Sequence, residues 1–218
     1  MKSVTDARFE SRLLDRVTAD PDDAIQGLGQ SLKHDSTTSV VKVEENGQCW
    51  VIKRYNTKNP WHALRRTVRR SRAENCWRMS ALLSAAGIRV PAPVAYMERR
   101  IGPLRGRSYF VYEYVDAEDL LTYMMTHTNI GDIDYVVQKI IDIFKALYVS
   151  KINHGDMKAT NLMVGADRGI TLIDLDAAAK PDNAETFRRG YGKDRSRFLR
   201  NWRDNPGMTE RFDRALPG

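Results

Sequence analysis

The apolar pattern of this chain changes period once, near residues 113–117, and that change limits the folds open to it. Before it, apolar residues come in short alternating runs of strand type. Ser39-Val40-Val41-Lys42-Val43 and Gln48-Cys49-Trp50-Val51-Ile52-Lys53 flank Glu45-Asn46-Gly47, a hairpin signal, because asparagine and glycine accept the left-handed backbone of a tight turn. A second strand pair, 94–98 and 108–114, brackets a turn at 102–106. Between the pairs, Asn59-Pro60 reads as a cap and first helical turn. Trp61, Leu64, Val68, Cys76, Met79, Leu82 and Leu83 then recur at near-helical spacing until Gly87 stops the helix. The opening residues suggest a short helix over 7–17 and a turn at Asp20-Pro21-Asp22-Asp23.

After residue 118 the texture is helical. Helices are expected over 119–125 and 133–149, the second carrying Ile133, Val136, Val137, Ile140, Ile141, Phe144 and Leu147 as a wide apolar stripe. Two short strands, 161–164 and 170–173, and a polar, basic helical tail follow. The expected fold is α+β and bilobal within one domain. A small β-rich N-lobe spans about 1–113, a connection 113–117, and a short, mainly helical C-lobe 118–218. A chain of 218 residues can bury one substantial core or two small ones, so this division is physically affordable.

Charge narrows the partners. A formal net charge of +7 and a pI near 9.5 favour something anionic: a phosphorylated substrate, nucleic acid or an anionic membrane surface. Basic residues crowd two stretches, Arg65, Arg66, Arg69, Arg70 and Arg72 in one and 188–203 in the other. The first places five arginines in eight residues with no acid before Glu74, where exposed helices ordinarily mix signs. Anion binding and a plain solvated face both fit it. No recognised nucleic-acid module or aromatic-basic interleaving appears, which speaks against nucleic acid. No run approaches the ~20 apolar residues of a membrane span. The polar opening Met1-Lys2-Ser3-Val4-Thr5-Asp6 lacks a secretory h-region, so a cytoplasmic location is expected. Cys49 and Cys76, without CxxC spacing, read as small core residues rather than a disulfide or metal site.

The chemistry concentrates in His154-Gly155-Asp156-Met157-Lys158-Ala159-Thr160-Asn161-Leu162-Met163-Val164, directly after the apolar helix and before a strand pair. Thr171-Leu172-Ile173-Asp174-Leu175-Asp176 follows the second of those strands. An Asp and an Asn on one loop, joined by an Asp after a short strand, can converge on one point. Phosphoryl transfer needs such a group: a carboxylate to orient and deprotonate the attacking hydroxyl, and oxygen ligands to hold Mg²⁺ against the phosphates. On this reading Asp156 is the base, Asn161 and Asp174 are metal ligands, and Lys158 offsets charge on the transferring phosphate. His154 reads as a backbone brace rather than a proton carrier. Asp176 reads equally as a second metal contact or a cap.

These residues resemble the protein-kinase-like superfamily, whose catalytic loop carries His-Arg-Asp with an Asn further on. Gly155 in place of Arg is similar to the small-molecule, sugar and atypical branches. Asp174-Leu175-Asp176 replaces Asp-Phe-Gly, and nothing like Ala-Pro-Glu follows. The resemblance implies that Lys53, ending Val51-Ile52-Lys53, contacts the α- and β-phosphates of ATP, with Glu74 as its ion-pair partner. It also implies that backbone groups of Glu113 and Val115, in Tyr112-Glu113-Tyr114-Val115, meet the adenine. The phosphate loop departs from the pattern: His34-Asp35-Ser36-Thr37-Thr38 holds no glycine, though short hydroxylated residues can still turn N–H groups toward phosphate.

Within the superfamily the chain resembles the bacterial lipopolysaccharide core kinases, the heptose and Kdo group. The resemblance rests on Ser71-Arg72-Ala73-Glu74 in the arginine-rich stretch, on Gly87-Ile88-Arg89-Val90-Pro91-Ala92-Pro93, and on Lys193-Asp194-Arg195-Ser196-Arg197-Phe198-Leu199-Arg200-Asn201-Trp202. It implies transfer of the ATP γ-phosphate, with Mg²⁺, to a sugar hydroxyl of the lipopolysaccharide inner core. The partner would be an anionic glycolipid or sugar, met at the inner face of the inner membrane. An atypical protein kinase and a catalytically silent scaffold remain the alternative readings.

Overall fold

The computed structural model of the protein describes residues 1–34, 37–56, 70–101 and 104–218. They form two compact units, 1–78 with 91–114 and 79–90 with 115–218.

The first unit is built on an antiparallel sheet of six strands in the order β1-β5-β6-β4-β3-β2. The strands are β1 (Lys2–Thr5), β2 (Gly29–His34), β3 (Thr38–Glu45), β4 (Gln48–Tyr55), β5 (Pro93–Ile101) and β6 (Leu104–Glu113). Asn46 and Gly47, at φ 51° and 78°, close the expected β3–β4 hairpin, pairing Glu45 with Gln48. Two helices, α1 (Arg12–Ala19) and α2 (Pro21–Leu28), supply Leu13, Leu14, Val17 and Ala24 to a core shared with Val41, Val43, Trp50, Ile52, Met97, Tyr109 and Val111.

Three expectations change here. The helix expected over 7–17 starts at Arg12, because Ser11 caps it by accepting from the Leu14 N–H at 3.2 Å. The supposed turn at 20–23 is the start of α2, where Asp20 accepts from the N–H groups of Asp22 and Asp23 and Pro21 occupies the first turn. Strands β1 and β2 were not expected, since Lys-Ser-Val-Thr and Gly-Gln-Ser-Leu-Lys-His have no apolar alternation. They are edge strands, whose pairing depends on backbone hydrogen bonds rather than on a buried face.

Asp22 ties α2 to the sheet. It accepts from Tyr109 Oη at 2.9 Å, Arg107 Nη1 at 3.0 Å and Arg54 Nη1 at 3.3 Å, with Arg99 Nη2 at 3.2 Å. Burial pushes the Asp22 carboxyl up, but Tyr109 and the three arginines outweigh it and hold the group below the usual aspartate value. Tyr109 is pushed up to about 12, first by burial and then by its bond to Asp22.

Helix α3 (Arg72–Ala85) runs through the division between the units. A continuous helix from residue 60 was expected, but residues 70 and 71 are not helical. Ser71 Oγ accepts from the Glu74 N–H at 3.0 Å, and this Ser-x-x-Glu cap starts the helix. Asn59, Pro60, Trp61, Leu64, Arg65, Arg66, Val68 and Arg69 lie outside the described residues. At the other end the Gly87 N–H donates to Ser84 O and the Ile88 N–H to Leu83 O, a Schellman closure where Gly87 was expected to stop the helix.

In the second unit, α4 (Leu120–Thr126) and α5 (Ile130–Ser150) stand where helices were expected, capped by Asp119 and Asn129. The stripe on α5 buries Val136, Val137, Ile140, Ile141, Phe144 and Leu147. Strands β7 (Glu118–Asp119), β8 (Leu162–Val164) and β9 (Ile170–Leu172) form a small antiparallel sheet. The tail folds as α6 (Ala184–Leu199), a 3-10 turn (Arg200–Trp202) and α7 (Pro206–Ala215). Phe144 of α5 meets Tyr191 and Phe198 of α6, and Phe198 packs on Trp202 and Phe212, so the basic tail is anchored by aromatics. Trp202 therefore belongs to the core of this unit. Among the described residues no helix is long and apolar enough to cross a membrane.

Candidate active site

Helix α5 ends at Lys151 in the left-handed conformation, φ 53°, and Asn153 then exchanges two backbone hydrogen bonds with Ala179, at 2.8 and 2.9 Å. The loop entered here is held from two sides. His154 is fully buried and its Nε2 stands 2.9 Å from Ile173 O; since a carbonyl only accepts, the ring donates from Nε2 and braces the loop to the end of β9. On the other side Asp194 of α6, 3% exposed, accepts from the His154 N–H at 2.7 Å and from the Gly155 N–H at 2.9 and 3.0 Å.

Gly155 has φ +82°, and a Cβ there would lie 2.6 Å from Ala177 O. The glycine of His-Gly-Asp is thus demanded by the backbone path as well as by space. Gly190 on α6 has a related role: a Cβ there would sit 2.0 Å from Asn153 Nδ2, so the missing side chain lets the helix approach the loop.

Three of the sequence-derived residues come together on this loop. Asn161 Nδ2 donates to Asp156 O at 2.8 Å and lies 3.4 Å from Asp156 Oδ2. Lys158 Nζ is 3.5 Å from the same Oδ2. Asn161 O accepts from the Ile173 N–H at 2.9 Å, which anchors the residue before Asp174 to the Asp156 loop. Asp174 follows in the left-handed region, φ 62° and ψ 57°, a conformation aspartate tolerates better than most side chains. A fourth side chain joins them: Arg197 Nη2 of α6 lies 2.6 Å from Asp156 Oδ1.

The donor set suits a hard divalent cation. The Asn161 amide must turn its Nδ2 to the Asp156 carbonyl, which leaves Oδ1 as the atom able to ligate, and Asp174 follows the residue whose N–H is bonded to Asn161 O. Among the described residues no group of three or more His, Cys, Asp or Glu could hold a metal by itself. A partial oxygen set of this kind fits Mg²⁺, which keeps water and takes phosphate oxygens as ligands.

The remaining expected residues stand on other elements. Lys53 is on β4 within the first unit's sheet, opposite Val40 and Phe110, and is 8% exposed. Glu74 sits in the first turn of α3, 3.8 Å from Arg70. Glu113 ends β6, its N–H donating to Ala92 O at 3.0 Å, and Val115 is the first residue of the 115–218 segment of the second unit. In the phosphate loop Asp35 and Ser36 lie outside the described residues. Thr38 begins β3, its Oγ1 accepting from Arg72 Nη1 at 3.3 Å.

Sequence reasoning gave no role to Asp194 or Arg197. A signal for the first existed: Phe187, Tyr191, Asp194 and Phe198 share one helical face, placing an acid on an apolar stripe. Such a carboxylate must be bound where it is buried.

A sheet-rich unit with a buried lysine on a central strand, followed by a helical unit bearing an Asp-x-x-x-x-Asn loop and a further Asp past a short strand, defines a protein-kinase-like fold. The structure of WaaP in complex with acyl carrier protein has the same fold, with a TM-score of 0.62 over 98% of this chain and 97% of that one at 19% identity. Two proteins described as 3-deoxy-D-manno-octulosonic acid kinase, from Vibrio vulnificus strains CMCP6 and YJ016, are each 28% identical over 130 residues, 56% of this chain and 53% of theirs. The chain spans about half the length of these curated relatives. Residues 29–211 match the lipopolysaccharide kinase (Kdo/WaaP) family, and the chain belongs to that family.

Proposed function

We propose that the protein transfers the γ-phosphate of ATP to a sugar hydroxyl of the lipopolysaccharide inner core. The observation that carries this reading is the Asp156 carboxylate, gathered with Asn161 and Lys158 on a loop that Asp194 and His154 fix in place. Family membership supports the acceptor class. So do relatives described as kinases of an acidic sugar.

In this reading Asp156 accepts the proton of the attacking hydroxyl and aims its oxygen at the γ-phosphorus. Lys158 offsets charge on the phosphoryl oxygens as the bond to the leaving ADP breaks. Asn161 Oδ1 and Asp174 would hold Mg²⁺, which neutralises the phosphates when bound. Lys53 is assigned to the α- and β-phosphates, with Glu74 orienting it, and the backbone of Glu113 and Val115 to the adenine. A glycolipid acceptor brings the protein to the inner face of the inner membrane by peripheral contact.

The test is incubation of the protein with labelled ATP, Mg²⁺ and dephosphorylated core lipopolysaccharide. The expected result is label on the glycolipid. Label confined to protein would favour the atypical protein kinase reading. No transfer and no ATP-induced thermal shift would favour a silent scaffold, because a nucleotide binder gains ~2.7 kcal/mol of stability at a hundred times its dissociation constant.

A further inference from the structure

Helix α6 has two faces of opposite character. One buries Phe187, Tyr191, Asp194 and Phe198. The other exposes Arg189, Lys193, Arg197 and, just past its end, Arg200, at spacings of four, four and three residues, which make one continuous stripe. Arg189 has a carboxylate at hand, Glu185 at 3.6 Å. Lys193 and Arg200 have none within 4.0 Å among the described residues. Beyond Glu185 the stripe carries one sign through Lys193, Arg197 and Arg200, where solvated helices ordinarily mix signs. Nor is it remote from the chemistry, for it passes the Asp156 carboxylate at Arg197.

We propose that Arg197, flanked by Lys193 and Arg200, is the acceptor-specificity residue: it binds a carboxylate or phosphate on the sugar that presents its hydroxyl to Asp156. The inference rests on the sugar-kinase reading and deepens it. A guanidinium carries five N–H donors in a planar fork and reads carboxylate or phosphate two bonds at a time. Arg197 Nη2 stands 2.6 Å from Asp156 Oδ1, which places the guanidinium at the carboxylate that receives the hydroxyl. The contact uses one terminal nitrogen of the guanidinium, and its other N–H groups remain able to meet a ligand. The side chain is 46% exposed, open enough to meet a ligand. A hydroxyl brought to Asp156 must carry its neighbouring substituents past this cation. An anionic substituent gains there, whereas a neutral one leaves the guanidinium unmatched.

A plain brace for Asp156 would give a different kinetic signature. Losing a brace lowers kcat alike for every acceptor. Losing an anion reader raises KM only for the charged one. The experiment compares purified core oligosaccharides in matched pairs, one arm with the sugar carboxylate free or methyl-esterified, the other with a neighbouring phosphate present or removed. For the unaltered protein, neutralising the recognised anion is expected to raise KM roughly tenfold, the scale of a charge-assisted hydrogen bond. Arg197→Gln is expected to abolish that difference and Arg197→Lys to restore part of it. The surface double change Lys193→Ala/Arg200→Ala, which leaves the core untouched, is expected to raise KM for the charged acceptor several-fold. The arm that responds identifies carboxylate or phosphate. Equal KM values within both pairs, or a full charge preference surviving in Arg197→Gln, would overturn the assignment while leaving the kinase reading intact. Failure of the unaltered protein to phosphorylate any of the four acceptors would overturn both.

Discussion

Asp194 receives the Gly155 N–H on both carboxylate oxygens, at 2.9 and 3.0 Å, from 39 residues further along the chain. With the His154 N–H at 2.7 Å, this makes one buried carboxylate the anchor for the turn that delivers Asp156. Charge-assisted bonds in a buried setting are strong and geometrically exacting. The placement of the candidate base is therefore a property of α6 as much as of its own loop.

Replacing Asp194 by Asn should separate charge from shape. The amide offers one acceptor where the carboxylate offers two, and its NH₂ would face the loop's N–H donors. A destabilisation of about 1.5–3 kcal/mol is expected, as for loss of hydrogen bonds to a charged group. Turnover should fall with it while ATP affinity changes little. Thermal unfolding, nucleotide titration and initial rates on the same sample check this.

Gly155→Ala tests the backbone at the same place. The new methyl would meet Ala177 O at 2.6 Å, at a φ of +82° that alanine avoids. A cost on the order of 1–3 kcal/mol and a severe loss of activity are expected. Gly192→Ala on α6, where nothing lies within 4 Å of the added methyl, should be tolerated. Paired denaturant titrations distinguish the two.

The Asp22–Tyr109 bond, at 2.9 Å, should make the stability of the first unit depend on pH at both ends. Asp22 titrates below its ordinary value, so its contribution is present above the unfolded pKa near 4 and is lost as pH falls through the depressed folded value. Tyr109 is raised to about 12, so its contribution is present below the unfolded value near 10 and disappears as pH climbs toward 12. Tyr109→Phe should cost about 1 kcal/mol at neutral pH and remove its share of the alkaline decline. Asp22→Asn should flatten the acid limb. Denaturation midpoints measured across pH read both.

What was legible in the sequence follows from where the information lies. The hairpin at Asn46-Gly47, the stripe on α5 and the Asp156–Asn161 loop are each written in a single short segment by side chains that act locally. The edge strands β1 and β2 were not legible, because polar residues paired through their backbones leave no periodic trace. The α2 cap was misread because Asp-Pro-Asp-Asp serves a turn and a helix start equally well, and only the hydrogen bonds from Asp22 and Asp23 to Asp20 decide. The start of α3 at Arg72 was hidden by an apolar spacing that continues across Ser71. In the site, Asp194 and Arg197 escaped notice because their partners lie about 40 residues earlier in the chain. The acid on the apolar face of α6 was the one visible clue.

As the proposed base, Asp156 would act on the acceptor hydroxyl in the transition state and not on nucleotide capture. Asp156→Asn, assayed by single-turnover phosphate transfer to core lipopolysaccharide and by calorimetric titration with ATP and Mg²⁺, tests it most directly. A rate loss of ~10²–10⁴-fold with ATP affinity little changed is expected. Transfer at the unaltered rate, or a rate loss fully explained by weaker ATP binding, would contradict it.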